Sequence, residues 1–323
     1  MDIVNIYKTK GLSDSSVKTY TRNIEKLYEK LTGTNTNTMK NLSWLKDSDK
    51  IVELLSEYKE NTRRSYLIAI ASLLKDLDKY EKIHKVYYDL LKNKNIELNE
   101  KASDKTEKQS DNWISWDDVV NKQKELEGKI NKIKVINETN YDLVLQALVL
   151  SLYTLLPPRR NEYKDMKIVY KYDENLPKEN YYSVSENKFY FNKYKTSKKY
   201  GLEVIDIPTE LTKLLKKYIV FHPQIKGRIE KKGKTYDFLV NYQGEPLNKV
   251  NSITRILNRI FDKAISSSML RNIYLTNKYK DVKSEMLKDA KAMGHSVMTQ
   301  QGVYVKDSDD ENTDVAVDKE KSS

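Results

Sequence analysis

The longest apolar stretch of the chain opens residues 141–163, which read YDLVLQALVLSLYTLLPPRRNEY. Apolar side chains lie nearly all round a helical wheel over residues 141–156, a pattern that predicts a central helix buried on every side. Pro157 and Pro158 end that helix, because proline lacks a backbone N–H and disfavours helical geometry in the residue before it. Arg159 and Arg160 follow at once. The sequence therefore predicts a buried helix that leads into a basic turn.

The net charge of the chain is positive and unevenly distributed. All 323 residues together carry +11, but the last 18 hold seven acids against three lysines, so residues 1–305 carry about +15. Such a polycation attracts nucleic acid electrostatically, with an affinity that falls as the salt concentration rises. The abundance of Lys, Asn, Ile and Tyr is equally expected from an AT-rich genome and a solvated surface. Charge favours double-stranded DNA as a partner but does not establish it.

The composition excludes several kinds of chemistry. The chain has no Cys, which removes disulfides, a thiolate nucleophile and Cys-based zinc sites, and only three His remain as metal ligands. We therefore expect no metal and no cofactor. No run of 18 or more apolar residues occurs, so a membrane span is not expected. The N-terminus lacks a basic-then-apolar signal pattern, and we expect a reducing, intracellular location such as the cytoplasm, the nucleus or a viral factory.

Residues 1–96 show helical periodicity and are predicted to form a small all-α domain. Apolar residues recur at helical spacing in four stretches, and Ser13 or Asp14 is placed as the N-cap of the first long helix. Arg63 and Arg64 open the third helix, where their side chains would meet phosphates if this domain binds DNA.

A polar segment, residues 97–112, nearly lacks apolar side chains and is predicted to be a linker. Residues 113–305 form the predicted second domain, which opens with Ser115 and Asp118 at capping-box spacing. Strands are predicted at residues 167–170, 181–184, 188–194 and 202–207, and helices at residues 210–220, 250–261, 269–279 and 285–293. The predicted fold class is therefore mainly α with a small antiparallel β-sheet (α+β). Residues 306–323 are acidic and predicted to be a disordered tail.

Three short motifs of the second domain follow one another at wide separations. The basic turn contains Arg159 and, three positions later, Glu162. Arg271 is part of the segment SMLRN, residues 268–272. Gly294 and His295 come later, and Tyr304 lies nine positions after His295. In this order and at these distances, the motifs together resemble the catalytic domain of the tyrosine recombinases, the phage-type integrases.

The N-terminal part has a weaker resemblance to the same family. Residues 15–20, SSVKTY, and residues 61–66, NTRRSY, are similar to the first and third helices of the family's core-binding domain. In those proteins a helical bundle clamps one face of the duplex, which implies DNA contacts for residues 1–96. A generic helical bundle is the alternative for these residues.

The resemblance implies that DNA is cut and rejoined through a 3′-phosphotyrosine bond, without metal or ATP. Tyr304 would be the nucleophile. Arg159 and Arg271 would hold the non-bridging phosphate oxygens, because guanidinium stays charged and presents a planar fork. His295 would accept a proton, and Lys195 would protonate the leaving 5′ oxygen. A phenol has a pKa of about 10, so it needs such cationic neighbours to become a nucleophile.

Two of these assignments have close rivals. Arg160 also follows the prolines, but only Arg159 places Glu162 at the Arg-x-x-Glu spacing, where one turn of helix would let the carboxylate brace the site. Lys195 is implied to lie on a flexible connection between two strands. The alternatives to it are the nearby Lys193 and Lys198.

Ser268 is a departure from the family pattern, which usually has His at this position. A hydroxyl donates a hydrogen bond to a phosphate oxygen but is neither a cation nor a general base near neutral pH.

Three functions therefore stay open. The favoured one is a site-specific recombinase or integrase of a virus or mobile element, assembling as a homo-tetramer on DNA. The others are a type IB topoisomerase-like enzyme that relaxes DNA and a DNA-binding protein with reduced catalysis.

Overall fold

The structure is a computed structural model that describes residues 2–100, 104–231 and 233–294. The chain divides into two compact units, residues 1–106 and residues 107–323. The division falls inside the segment predicted to be a linker, but much of that segment is helical. Its apolar residues are few, yet Glu, Lys and Gln favour helices almost as strongly as Leu does. A polar composition alone therefore does not distinguish a linker from an exposed helix.

In its described part, the first unit contains helices joined by loops, and no strand. Its α-helices are α1 (Ile3–Thr9), α2 (Asp14–Thr32), α3 (Ser48–Ser56), α4 (Glu60–Leu74) and α5 (Glu81–Glu100). Ser13 is the N-cap of α2, and its side chain accepts a hydrogen bond from the backbone N–H of Ser16. This confirms one of the two caps predicted for that helix.

The core of the first unit is fastened by buried tyrosines. α4 packs against both α2 and α5. The Tyr7 hydroxyl donates to the carbonyl of Ala69 at 2.7 Å, and the Tyr87 hydroxyl donates to the carbonyl of Leu45 at 2.8 Å. Because a buried hydroxyl is costly unless it is paired, these bonds fix α1 against α4 and tie α5 to the segment that precedes α3.

The second unit is organised around one buried helix. Its helices are α6 (Glu107–Asn112), α7 (Trp116–Asn131), α8 (Glu138–Thr154), α9 (Ser197–Tyr200), α10 (Thr209–Phe221), α11 (Ser252–Phe261), α12 (Ser267–Lys278) and α13 (Lys280–Ala292). α8 contacts α7, α10 and α11 and is buried on all its faces, which confirms the prediction. The capping box of α7 is also confirmed, since Asp118 N–H donates to Ser115 Oγ at 3.0 Å. Within the described ranges, no helix is long and apolar enough to cross a membrane.

A five-stranded sheet lies beside these helices. Its strands are β1 (Lys167–Val169), β2 (Tyr181–Ser183), β3 (Lys188–Phe191), β4 (Glu203–Asp206) and β5 (Tyr236–Asp237). Their spatial order is β4-β3-β2-β1-β5. β1 and β2 are parallel, whereas the other neighbours are antiparallel. The fold is therefore mainly α with a small mixed sheet, and the prediction of an antiparallel sheet is wrong for the β1–β2 pair.

The connection between β1 and β2, residues 170–180, explains the parallel pair. It folds back over the sheet, where the ring of Tyr172 stacks on that of Tyr190 with centroids 3.9 Å apart. The backbone N–H of Tyr172 donates to Ser183 Oγ at 3.2 Å. The chain thus returns to the end of the sheet at which β1 begins. β2 therefore runs in the same direction as β1 and does not form a hairpin with it.

Candidate active site

Four of the predicted site residues line one cleft of the second unit, called here the arginine cleft. It has a volume of about 620 Å³ and is bounded by the loop after α8, the connection between β3 and β4, and α12. The predicted residues that it brings together are Arg159, Glu162, Lys195 and Arg271. Arg159 and Glu162 are close in the sequence, but Lys195 and Arg271 are far from them and lie on two other elements, so the convergence is a property of the fold.

Arg159 and Glu162 lie on the loop between α8 and β1. Residues 157–160 have no regular structure and residues 162–165 form a turn. The Arg-x-x-Glu motif therefore does not lie on the helical turn predicted from the sequence. α8 ends at Thr154, before the two prolines, and β1 begins at Lys167. Glu162 Oε2 is buried and has no hydrogen-bond partner among the described residues.

Hydrogen bonds hold this loop in place from two sides. The buried Tyr153 hydroxyl, at the end of α8, donates to the carbonyl of Arg160, and burial raises the pKa of Tyr153. Ser267 Oγ, at the start of α12, donates to Asn161 Oδ1 at 3.0 Å. Because Arg271 lies one turn further along α12, the bond between Ser267 and Asn161 links the two elements that carry the arginines.

The guanidinium of Arg159 is contacted by three side chains. Its Cζ lies 3.9 Å from the ring centroid of Phe191 and 5.5 Å from that of Tyr194. Its Nη1 donates to Glu203 Oε1 at 2.9 Å. The Arg159 side chain is only 15% exposed, and a cation so far from water requires stabilising neighbours. The ring of Phe191 and the carboxylate of Glu203 supply them, and neither residue was identified from the sequence.

Lys195 is exposed and lies between β3 and β4, as predicted. The hydroxyl of Tyr194 donates to the carbonyl of Gly201 at 3.0 Å, which closes the base of this connection. Of the three lysines considered, Lys195 lines the arginine cleft. Lys193 is in an ion pair and lines a neighbouring cleft, whereas Lys198 lies on α9. The structure thus distinguishes Lys195 from both rivals by position.

Arg271 and Ser268 both lie on α12 but line different clefts. Arg271 lines the arginine cleft, whereas Ser268 is exposed and lines the neighbouring one. Ser266 caps the helix, its side chain accepting from the backbone N–H of Met269. Ser268 and Arg271 are nevertheless three positions apart on α12, so both lie on the same side of that helix. The hydroxyl that connects α12 to the loop of Arg159 belongs instead to the preceding residue, Ser267.

The neighbouring cleft, of about 670 Å³, is balanced in charge. Its charged lining residues are Arg160, Lys164, Lys167 and Lys193 on the basic side and Glu162, Asp165, Glu179 and Asp237 on the acidic side. Several of them neutralise one another, as in the contacts of Lys167 with Asp237 and of Lys193 with Glu179, each at 2.5 Å. The arginine cleft holds four basic side chains against two acidic ones. It is therefore the better match for a phosphate.

The arginines that open α4 in the first unit make internal bonds. Arg63 Nε donates to the carbonyl of Tyr58 at 2.7 Å, and its Nη2 donates to the carbonyl of Ser56 at 2.5 Å. Arg64 Nε donates to Asn95 Oδ1 at 2.5 Å. These bonds satisfy one carbonyl at the end of α3 and one just after it, and they tie α4 to α5. Both side chains, which the sequence suggested as phosphate contacts, thus have structural partners within the unit.

Two predicted site residues, His295 and Tyr304, lie outside the described residues, as does the predicted tail, residues 306–323. Among the residues that are described, no group of three or more His, Cys, Asp or Glu side chains is arranged to hold a metal ion. Comparison of the chain with family models, with curated proteins and with solved structures finds no match.

Proposed function

We propose that the protein is a site-specific DNA recombinase or integrase that cuts and rejoins double-stranded DNA through a 3′-phosphotyrosine intermediate. The convergence of Arg159, Lys195 and Arg271 in one cleft carries the proposal. Motif order in a sequence does not require that these three side chains meet, and a generic basic surface would scatter them. Guanidinium and ammonium groups that line one concave site suit a phosphate in which charge develops during reaction.

The reaction assigns one task to each group. The Tyr304 oxygen forms a bond to the phosphorus, and the bond from phosphorus to the 5′ oxygen breaks. His295 accepts the phenol proton, and the ammonium of Lys195 gives a proton to the 5′ oxygen. Arg159 and Arg271 offset the charge on the non-bridging oxygens. Because one phosphoester replaces another, rejoining reverses the same steps without ATP.

Strand exchange between two duplexes needs more than one active site. As a recombinase, the protein would act as a homo-tetramer on DNA, with the first unit contacting the duplex as well. The net charge of about +15 on residues 1–305 supports binding to a polyanion.

A covalent-trapping assay tests the proposal. Nicked suicide duplexes are drawn from the DNA on either side of the gene that encodes the chain, and the products are separated under denaturing conditions. We expect a protein–DNA adduct that forms in the presence of a chelator and without nucleotide. Arg271→Ala should slow its formation about a hundredfold or more, because one uncompensated charge in the transition state costs about 3 kcal/mol. A strict requirement for a divalent metal would overturn the proposed chemistry.

A further inference from the structure

Glu203 is an acidic side chain in a cleft proposed to bind phosphate. It lies on β4 in register with Phe191 on β3. Its Oε1 accepts from Arg159 Nη1 at 2.9 Å, while the Phe191 ring lies 3.9 Å from Arg159 Cζ. A carboxylate repels a phosphodiester, so its presence beside Arg159 calls for a role other than substrate binding.

The orientation of the Arg159 guanidinium is costly and therefore needs restraints. Its Nε is buried and has no hydrogen-bond partner among the described residues, and an unmade hydrogen bond of a buried donor disfavours the conformation. The Phe191 ring restrains the plane of the guanidinium. The Glu203 carboxylate restrains its rotation within that plane by holding Nη1. With Nη1 held by Glu203 and the guanidinium packed on Phe191, Arg159 keeps one orientation at the edge of the arginine cleft.

We propose that Glu203 is a positioning residue that orients Arg159 for the scissile phosphate, an inference that rests on the proposed function. The Glu203 side chain is 43% exposed, against 15% for Arg159. Solvent screens an ion pair that is exposed on one side, so the pair contributes little to stability. The carboxylate also repels DNA only weakly for the same reason. Loss of Glu203 should therefore affect the rate of cleavage and leave DNA affinity unchanged.

Three single variants separate positioning from charge. Glu203→Ala should slow adduct formation at saturating DNA about tenfold or more, since small misplacements of a catalytic group have large effects on rate. Glu203→Gln should stay within about threefold of the wild type, because its amide oxygen still accepts a hydrogen bond. Asp206→Asn is the matched control. Asp206 lies on the same strand but pairs with Lys188 at 3.2 Å, so this variant should keep the wild-type rate.

A double-mutant cycle then tests whether Glu203 acts through Arg159. In an Arg159→Lys background, adding Glu203→Ala should slow adduct formation by less than about twofold further. Losses that multiply in the double variant would overturn the inference, as would a wild-type rate for Glu203→Ala or an affinity loss equal to the rate loss. A wild type that forms no adduct would instead refute the proposed function, and the inference with it.

Discussion

Phe191 and Glu203 are register partners on the antiparallel strands β3 and β4, and both contact the guanidinium of Arg159. The same two strands carry Lys195 in the connection between them. The environment of Arg159 and the position of Lys195 thus depend on one strand pairing. The pairing of β3 with β4 therefore connects the surroundings of Arg159 to Lys195, which lies 36 positions later in the sequence.

The adjacent arginines allow a matched test of which one serves the phosphate. Arg159→Lys should slow adduct formation about a hundredfold, because an ammonium cannot present a planar fork to two oxygens. Arg160 is exposed, and its backbone carbonyl makes the bond to Tyr153. Arg160 also lines the arginine cleft, but its exposed side chain is not held beside Phe191 and Glu203 as that of Arg159 is, so Arg160→Lys should stay within about threefold of the wild type. The opposite order of rates would reassign the role to Arg160.

The sequence predicts the long helices and four of the five strands because their patterns are local, whereas it misses the short helices α1, α6 and α9. All-round apolarity identifies α8, and the Ser115–Asp118 spacing identifies the start of α7. The parallel direction of β1 and β2 could not be predicted in this way. The alternation of apolar and polar residues along a strand does not show in which direction the neighbouring strand runs. That direction depends on residues 170–180, which fold over the sheet. β5 has two residues, Tyr236–Asp237, and is too short to show a pattern.

The site could be predicted only as far as its motifs reach. The family resemblance suggests Arg159, Lys195 and Arg271, but the helical turn predicted for Arg159 and Glu162 is absent from the loop that carries them. The contacts of Phe191 and Glu203 with Arg159 depend on the register of β3 against β4. The sequence does not reveal that register, because the connection between the two strands contains a short helix.

Tyr163 offers a test of the packing below the cleft. Its ring is fully buried and packs edge-on against Phe191, but its hydroxyl has no hydrogen-bond partner in the described ranges. Tyr163→Phe should leave the free energy of unfolding unchanged or raise it by up to about 2 kcal/mol, because it removes an unpaired buried hydroxyl. Urea denaturation would measure the change.

Tyr218 is the matched control for that substitution. Its buried hydroxyl donates to the carbonyl of Phe238 at 2.7 Å. Tyr218→Phe should therefore lower the free energy of unfolding by about 1–3 kcal/mol, since it leaves that carbonyl without this donor. Equal losses for the two variants would show that the Tyr163 hydroxyl is paired.

Stability should depend on pH through His222. Burial lowers the pKa of His222 to about 4, while its Nε2 donates to the carbonyl of Asp237 at 2.9 Å. The unfolded chain binds a proton below the ordinary histidine pKa of about 6.5, whereas the folded protein stays neutral there. The free energy of unfolding should therefore fall as pH drops from about 6.5 towards 4, by at most about 1.4 kcal/mol per pH unit.

The control for this pH dependence is His222→Gln, which cannot titrate. Its free energy of unfolding should decline less steeply than that of the wild type over the same pH window, whatever its absolute value. Asp237 also affects stability at acid pH. Burial by itself would raise the pKa of Asp237, but hydrogen bonds from the side chains of Lys167 and Gln224 help to bring that pKa below its ordinary value. The stability that those bonds supply is lost only at still lower pH. Parallel slopes for wild type and variant would contradict the assignment to His222.

DNA binding should depend strongly on salt. Residues 1–305 carry about +15, and displacement of counterions from DNA makes affinity fall as salt rises. Titrations of a labelled duplex at several salt concentrations should show that the logarithm of the association constant falls steeply and linearly with the logarithm of the salt concentration. A truncation that removes residues 306–323 should bind at least as tightly as the full chain, because it removes a net −4. An affinity that does not change with salt would contradict the electrostatic account.

The most direct test of the account is the identity of the residue that becomes joined to DNA. The wild type and Tyr304→Phe are incubated with the same suicide duplex, and the adduct is digested and mapped by mass spectrometry. We expect the wild type to carry a nucleotide on Tyr304, and Tyr304→Phe to bind the duplex with unchanged affinity but form no adduct. An adduct that persists in Tyr304→Phe, or one mapped to Tyr274 or Tyr279, would contradict the assignment of the nucleophile.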